Sequence, residues 1–245
     1  MILSKNNAKV VEFKRLCREK TFFLLDTPKL VSEAIDCGLV AKMCLVANES
    51  KFSNLLCKID CEKITVSDEV LKSVCNVTSP SGIAVVFEQK KWQMPSKLNR
   101  FLVLCKVQDP GNVGTLVRSA LGAGFECIIA IESALPTNAK VVRSAMGALF
   151  RLPYFCMSEK EFEDFAKHKK LNLVCADMNG ENVFGTSFEK NCGLVVGSEG
   201  QGVLPEIRKL CNKVVSIPMQ GGLESLNVGA SGSIIMYQIT KGELL

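Results

Sequence analysis

Gln108-Asp109-Pro110-Gly111-Asn112-Val113-Gly114-Thr115-Leu116-Val117-Arg118-Ser119-Ala120 is the stretch on which the reading of this chain turns. Directly before it, residues 101–105 form an unbroken apolar run, as expected of a strand buried on both faces. From 112 to 123, Val113, Leu116, Val117, Ala120 and Leu121 fall on one helical face. A strand that passes through a glycine-bearing turn into a helix leaves free backbone N–H groups at the helix start, a geometry that suits an anion. Asn112 suits the N-cap of that helix. Arg118, about six residues in, is the only charge from 112 to 123 and calls for a partner. An ion pair with Asp109 or Glu126 is one answer, a bound ligand another.

The same alternation extends outward in both directions. Downstream, strand-like runs at 127–131, 171–176 and 194–196 are separated by helical patterns, including 139–149 and 226–240. Such near-continuous apolar strands imply an α/β domain with a parallel sheet covered on both faces, where ligands sit beyond the carboxyl ends of the strands. Upstream, helices at 7–20, 30–37, 52–57 and 68–75 alternate with strands at 22–25, 43–46, 64–66 and 83–87, which predicts a smaller α/β layer domain. Between them, 89–99 holds Trp92 and no periodicity. The reading is therefore a first domain over 1–88, a linker over 89–99 and a second domain over 100–245.

Composition excludes several classes. The chain has 245 residues, 47% hydrophobic and 22% charged, which fits one or two globular domains and not a disordered chain. No run of apolar residues is long enough for a membrane span, and the start lacks the basic-then-apolar pattern of a leader. Twelve cysteines are scattered without a Cys-x-x-Cys, so reduced thiols in a cytoplasmic protein are expected, with no metal. His168 is the only histidine and sits beside Lys167, Lys169 and Lys170, which argues against a Ser-His-Asp or Cys-His hydrolase. The net charge of +5 comes largely from Lys90, Lys91, Lys97 and Arg100 around the linker, and the first twenty residues hold six basic residues against two acidic ones. That pattern suits phosphate contacts, but charge alone favours a solvated helix face and a soluble tether.

Two further loops carry polar cargo. Gly193–Val196 leads into Gly197-Ser198-Glu199-Gly200-Gln201-Gly202, a glycine-rich turn holding one carboxylate. Ile217-Pro218-Met219 is followed by Gly221-Gly222-Leu223-Glu224-Ser225-Leu226-Asn227-Val228-Gly229-Ala230-Ser231-Gly232, in which Ser225 or Asn227 suits a helix cap and the small residues permit close backbone contact. Neither a P-loop nor a complete Rossmann fingerprint is present.

Taken together and in this order, the three loops resemble the signature motifs of the SpoU/TrmH family of RNA ribose 2′-O-methyltransferases, in the SPOUT superfamily. The resemblance covers about 101–245; residues 1–88 look like the family's small ribosomal-protein-like RNA-binding domain. It implies a trefoil-knotted methyltransferase domain, a homodimer through that domain, and S-adenosylmethionine as cofactor. It also implies Gly197, Ile217 and Leu226 as cofactor-wrapping positions and Arg118 as the group that activates the ribose hydroxyl. Asn112, Glu199, Ser225 and Asn227 would surround that arginine and the RNA. The run Val228-Gly229-Ala230-Ser231-Gly232 departs from the family's usual Val, Ser and Ala composition. The expected substrate is structured RNA, ribosomal in preference to transfer RNA. A transfer-RNA 2′-O-methyltransferase and a non-catalytic RNA-binding or ribosome-assembly protein on the same fold are the alternatives.

Overall fold

The computed structural model describes residues 1–75, 77–223 and 225–241. Glu224 of the third loop and the last four positions of the expected second domain therefore lie outside the described residues. The chain divides into two compact units, Met1–Lys91 with Thr137–Phe150, and Trp92–Pro136 with Arg151–Leu245.

The first unit is built on four strands, β1 (Phe22–Leu25), β2 (Ala41–Val46), β3 (Glu62–Thr65) and β4 (Ile83–Glu88), in the order β1-β4-β2-β3. β4 is antiparallel to both its neighbours, and β2 and β3 are parallel. Helix α1 (Ala8–Arg18) precedes them, and α2 (Pro28–Asp36), α3 (Ser53–Leu56) and α4 (Asp68–Cys75) connect them. Val10 and Phe13 of α1 and Val70, Leu71 and Val74 of α4 bury against Met43, Leu45, Ala84 and Val86. This is the period-3.6 stripe of each helix meeting the period-2 face of the sheet.

Residues 137–150 pack with this unit although they lie far along the chain, within the predicted second domain. The predicted helix over 139–149 is shorter than expected: α6 runs Ala139–Ala145 and stops where Met146 (φ 49°) and Gly147 (φ 87°) turn left-handed. A single 3-10 turn, Ala148–Phe150, follows and sets the Phe150 ring 5.6 Å from Phe23 of β1. Arg143 of α6 meets the buried Asp26 carboxylate at 2.7 Å and donates to the Cys75 carbonyl at 3.0 Å.

The second unit holds six strands, all parallel: β5 (Arg100–Cys105), β6 (Cys127–Ile131), β7 (Tyr154–Met157), β8 (Leu173–Asn182), β9 (Cys192–Gly197) and β10 (Lys213–Ser216). Their order is β10-β8-β9-β5-β6-β7. β5, β6 and β9 are buried throughout, which is why their sequences are apolar without alternation. On one face α7 (Glu159–Lys169) and α8 (Pro205–Lys209) contribute Phe162, Ala166 and Ile207 to a core with Phe101, Val103, Cys105 and Val195. On the other, α5 (Pro110–Gly122) packs on β5 and α9 (Val228–Ile239) on β9, and the two helices pack on each other. From β5 the chain builds outward through β6 and β7, then returns on the far side, so β5 and β9 flank the point where the order reverses. In open parallel sheets that crevice is where ligands bind.

Candidate active site

The site assembles at the carboxyl ends of β5 and β9, where Cys105 lies opposite Gly197 in the parallel register. From β5 the chain enters α5 through Asp109. Asp109, and not Asn112 as the sequence suggested, is the N-cap: its carboxylate accepts the Asn112 backbone N–H at 2.9 Å, with Pro110 in the first turn. Pro directly after an Asp was the available signal, since proline favours the first helical position. Asn112 is thereby freed to use its side chain elsewhere.

That side chain joins the three loops. The Asn112 amide donates to the Glu199 carboxylate of the glycine-rich turn. The Asn112 carbonyl oxygen accepts from the Asn227 amide at 2.9 Å. Asn227 is the N-cap of α9, its own side-chain oxygen accepting the Gly229 N–H at 2.9 Å and the Ala230 N–H at 3.4 Å. The amide of Asn112 thus works in both directions, as donor to an acid and acceptor from a second amide. Residues 87 and 115 positions away in sequence are fixed against one side chain.

Close packing of α5 and α9 explains the small residues. A Cβ at Gly229 would lie 3.2 Å from Thr115 Cγ2, and one at Gly232 would overlap the Leu116 side chain. The Ser119 and Ser233 hydroxyls meet at 2.7 Å across the same seam. In the second loop the backbone folds on itself: Ser198 N–H donates to the Gly202 carbonyl at 3.2 Å and Gly202 N–H to the Ser198 carbonyl at 2.9 Å. Gly202 adopts φ 67°, and a Cβ at Gly197 would collide with the Gly202 carbonyl and the Val203 nitrogen. Glycine is required at 197 by that approach and favoured at 202 by its backbone angle.

Arg118 stands apart from the asparagine–glutamate network. It is exposed on the outer stripe of α5 with Thr115, and among the described residues it has no hydrogen-bond or ion-pair partner. The two intramolecular partners that the sequence offered it are engaged elsewhere: Asp109 caps α5, and Glu126 accepts from the Asn99 side chain at 2.8 Å. Ser225 is exposed and Leu226 half-buried just before α9, and Ile217 is half-buried just after β10. None of these three joins the network among the described residues. The thiol beside the site is a poor nucleophile: burial raises the pKa of Cys105 at the end of β5. Among the described residues no group of three His, Cys, Asp or Glu is placed to hold a metal ion.

Comparison with known proteins gives a consistent result. The sequence profile of the SpoU rRNA Methylase family matches residues 99–237. Over 97% of this chain and 98% of the relative, the sequence is 28% identical to the 23S rRNA (guanosine(2553)-2'-O)-methyltransferase RlmP of Bacillus subtilis. It is 31% identical to the 23S rRNA (guanosine-2'-O-)-methyltransferase RlmB of Bordetella pertussis, over 71% of this chain and 75% of that one. Among solved structures, the SpoU methyltransferase AviRb of Streptomyces viridochromogenes in complex with AdoMet superimposes with a TM-score of 0.86 at 25% identity, covering 98% of this chain and 99% of the other.

Proposed function

Because the chain belongs to the SpoU rRNA Methylase family, we propose that it is an S-adenosylmethionine-dependent methyltransferase acting on a ribose 2′-hydroxyl of ribosomal RNA. One observation carries the reading: three loops distant in sequence converge through Asn112, Glu199 and Asn227, at the start of the helix that presents Arg118, which has no partner among the described residues.

The residues fit the cofactor. Gly197 ends β9 with the Gly202–Val203 backbone packed where a side chain would be, which sets the shape of the second loop, and Ile217 and Leu226 offer half-buried apolar surface at the ends of the neighbouring loops. These three would hold S-adenosylmethionine, whose sulfonium supplies an activated methyl group. What the protein must add is alignment of the hydroxyl with that methyl and stabilisation of the charge that develops on its oxygen, its proton passing to solvent as the O–C bond forms and the C–S bond breaks. Arg118 carries a planar, cationic guanidinium with a fork of N–H donors, better suited to orienting a hydroxyl and stabilising its developing negative charge than to accepting a proton. Asn112, locked between Glu199 and Asn227, keeps the start of α5 and hence Arg118 at a fixed position. Ser225, exposed beside this network, would face the RNA.

The rest of the assignment follows the same reading. Residues 1–88 would serve as a ribosomal-protein-like RNA-binding domain, 89–99 as a basic linker, and 100–245, apart from the 137–150 segment that packs with the first unit, as a trefoil-knotted catalytic domain. A homodimer would use the outer face of α9, where Ile234 and Tyr237 are 38% and 49% exposed. No described helix is long and apolar enough to cross a membrane, and the site of action would be the cytoplasm.

Methyl transfer to unmodified rRNA transcripts, followed by digestion and mass spectrometry of the nucleosides, tests the proposal. A 2′-O-methylnucleoside is expected from the wild type and a loss of roughly 100-fold or more from Arg118→Ala. Arg118→Lys should remain strongly impaired, because a point charge lacks the guanidinium's planar fork. Absence of S-adenosylmethionine binding in the wild type would sink the assignment.

A further inference from the structure

Outside the three loops, the carboxyl ends of β5 and β6 are held by a clasp centred on Ser133. The Ser133 hydroxyl accepts the backbone N–H of Val107 at 2.9 Å and lies within donor reach of the Leu104 and Ile131 carbonyls, at 3.0 and 3.1 Å. One side chain therefore spans both strand ends and fixes the first turn of the loop that leads into Asp109 and α5. Two further features tighten the same place. Lys106 and Glu132, each the first residue after its strand, both adopt left-handed backbone, φ 56° and 44°. Their side chains form an ion pair at 3.6 Å, and the Gln108 amide donates to the Glu132 carbonyl. Long side chains adopt that backbone conformation only where the surroundings enforce it, and such outliers concentrate where a functional group must be placed.

We infer that Ser133 is a positioning residue for methyl transfer: its hydroxyl sets the start of the Gln108–Asn112 loop, and through the Asp109 cap it sets where α5 presents Asn112 and Arg118. The inference rests on the methyl-transfer reading above. The Val107 N–H is buried and has the Ser133 oxygen as its acceptor, so removal of the hydroxyl releases the loop at its root. The cofactor positions Gly197, Ile217 and Leu226 belong to other strand ends and are not held by this clasp.

The experiment compares wild type, Ser133→Ala and Ser133→Thr by steady-state methyl transfer to a 23S rRNA transcript, by calorimetric S-adenosylmethionine binding, and by amide hydrogen exchange over residues 104–112. Ser133→Ala should lower kcat roughly tenfold, the effect of one hydrogen bond needed in the transition state, with KM for RNA and cofactor affinity within about twofold. Exchange at Val107 should rise while that at β8 and β10 stays unchanged. Ser133→Thr keeps the hydroxyl and should restore both rate and protection. Wild-type kcat in Ser133→Ala would overturn the inference. So would a Ser133→Thr enzyme as slow as Ser133→Ala, or a parallel loss of cofactor affinity, which would place the hydroxyl's effect in the cofactor site. If Ser133→Ala does not fold, slow Val107 exchange in wild type with an active Ser133→Thr supports the inference; fast exchange refutes it. A wild type that binds cofactor yet methylates no ribose condemns the methyl-transfer reading, and this inference with it.

Discussion

Replacing Arg143 by alanine should destabilise the protein by about 3 kcal/mol, although the residue lies in a short helix remote in sequence from everything it contacts. The magnitude comes from its partner. Asp26 is only 5% exposed, and Arg143 reaches it through Nε at 3.1 Å and Nη2 at 2.7 Å, with a further bond to the Cys75 carbonyl. Removing the guanidinium leaves a buried carboxylate without its counter-charge, a change that costs roughly 3–5 kcal/mol in proteins. The Arg143 side chain is 34% exposed, so solvent screens part of the interaction and the lower end of that range applies. For a chain of this size the corresponding fall in Tm is on the order of 6–12 °C. Calorimetric melting of wild type, Arg143→Ala and the double variant Asp26→Leu/Arg143→Met would measure it. The double variant removes both charges and should lie within about 2 kcal/mol of wild type, above the single variant, because no ion is left unpaired. A single variant that loses under about 1 kcal/mol, or a double variant worse than the single, would refute the reasoning and reduce the pair to an ordinary surface bridge.

Other outcomes follow from the same geometry. Gly197→Ala forces a Cβ into the Gly202 carbonyl, so the second loop must open; a stability loss of about 1–3 kcal/mol and at least a tenfold weaker S-adenosylmethionine affinity by calorimetry are expected. Unchanged cofactor binding would remove Gly197 from the site. Neutralising Lys90, Lys91 and Lys97 should weaken RNA binding and flatten its dependence on salt, measured as the slope of log Kd against log salt; an unchanged slope would make the segment a tether alone. The Ser158 N–H and hydroxyl hold the Glu161 carboxyl below the usual glutamate range, so the capping box contributes fully above that range and is lost as pH falls through the lowered value. Glu161→Gln should therefore shrink the pH dependence of melting on the acid side, and an identical acid limb would exclude that role.

Much of the second unit was legible because buried parallel strands declare themselves. β5, β6 and β9 are apolar without interruption, and a helix with its apolar stripe follows β5 at once. β7 and β10 escaped detection for the opposite reason: both are edge strands of four residues, mostly partly exposed, so neither makes a run that stands out. The left-handed turn that shortens α6 was marked only by Gly147, since Met146 before it is not a residue that announces such a backbone. The placement of 137–150 with the first unit was equally hidden, because it depends on Asp26 and Phe23, more than a hundred residues earlier.

For the site the division is similar. Residue types, their order and the glycine-rich turns are local properties, and by themselves they determined a parallel α/β domain with three polar loops and the family those loops resemble. Which atoms meet was decided only by tertiary structure. Asn112 looked like a cap because a cap is what a lone asparagine at a helix start usually provides. Asp109 takes that role, and Asn112 becomes the hub between Glu199 and Asn227. Ser133 carried no signal at all, since a serine after a strand is common, and its hydroxyl matters only because the β5–β6 register brings Val107 within reach. Local sequence sets which conformations a segment prefers; a hydrogen bond between segments exists only once the sheet order and register place both partners at one point in space.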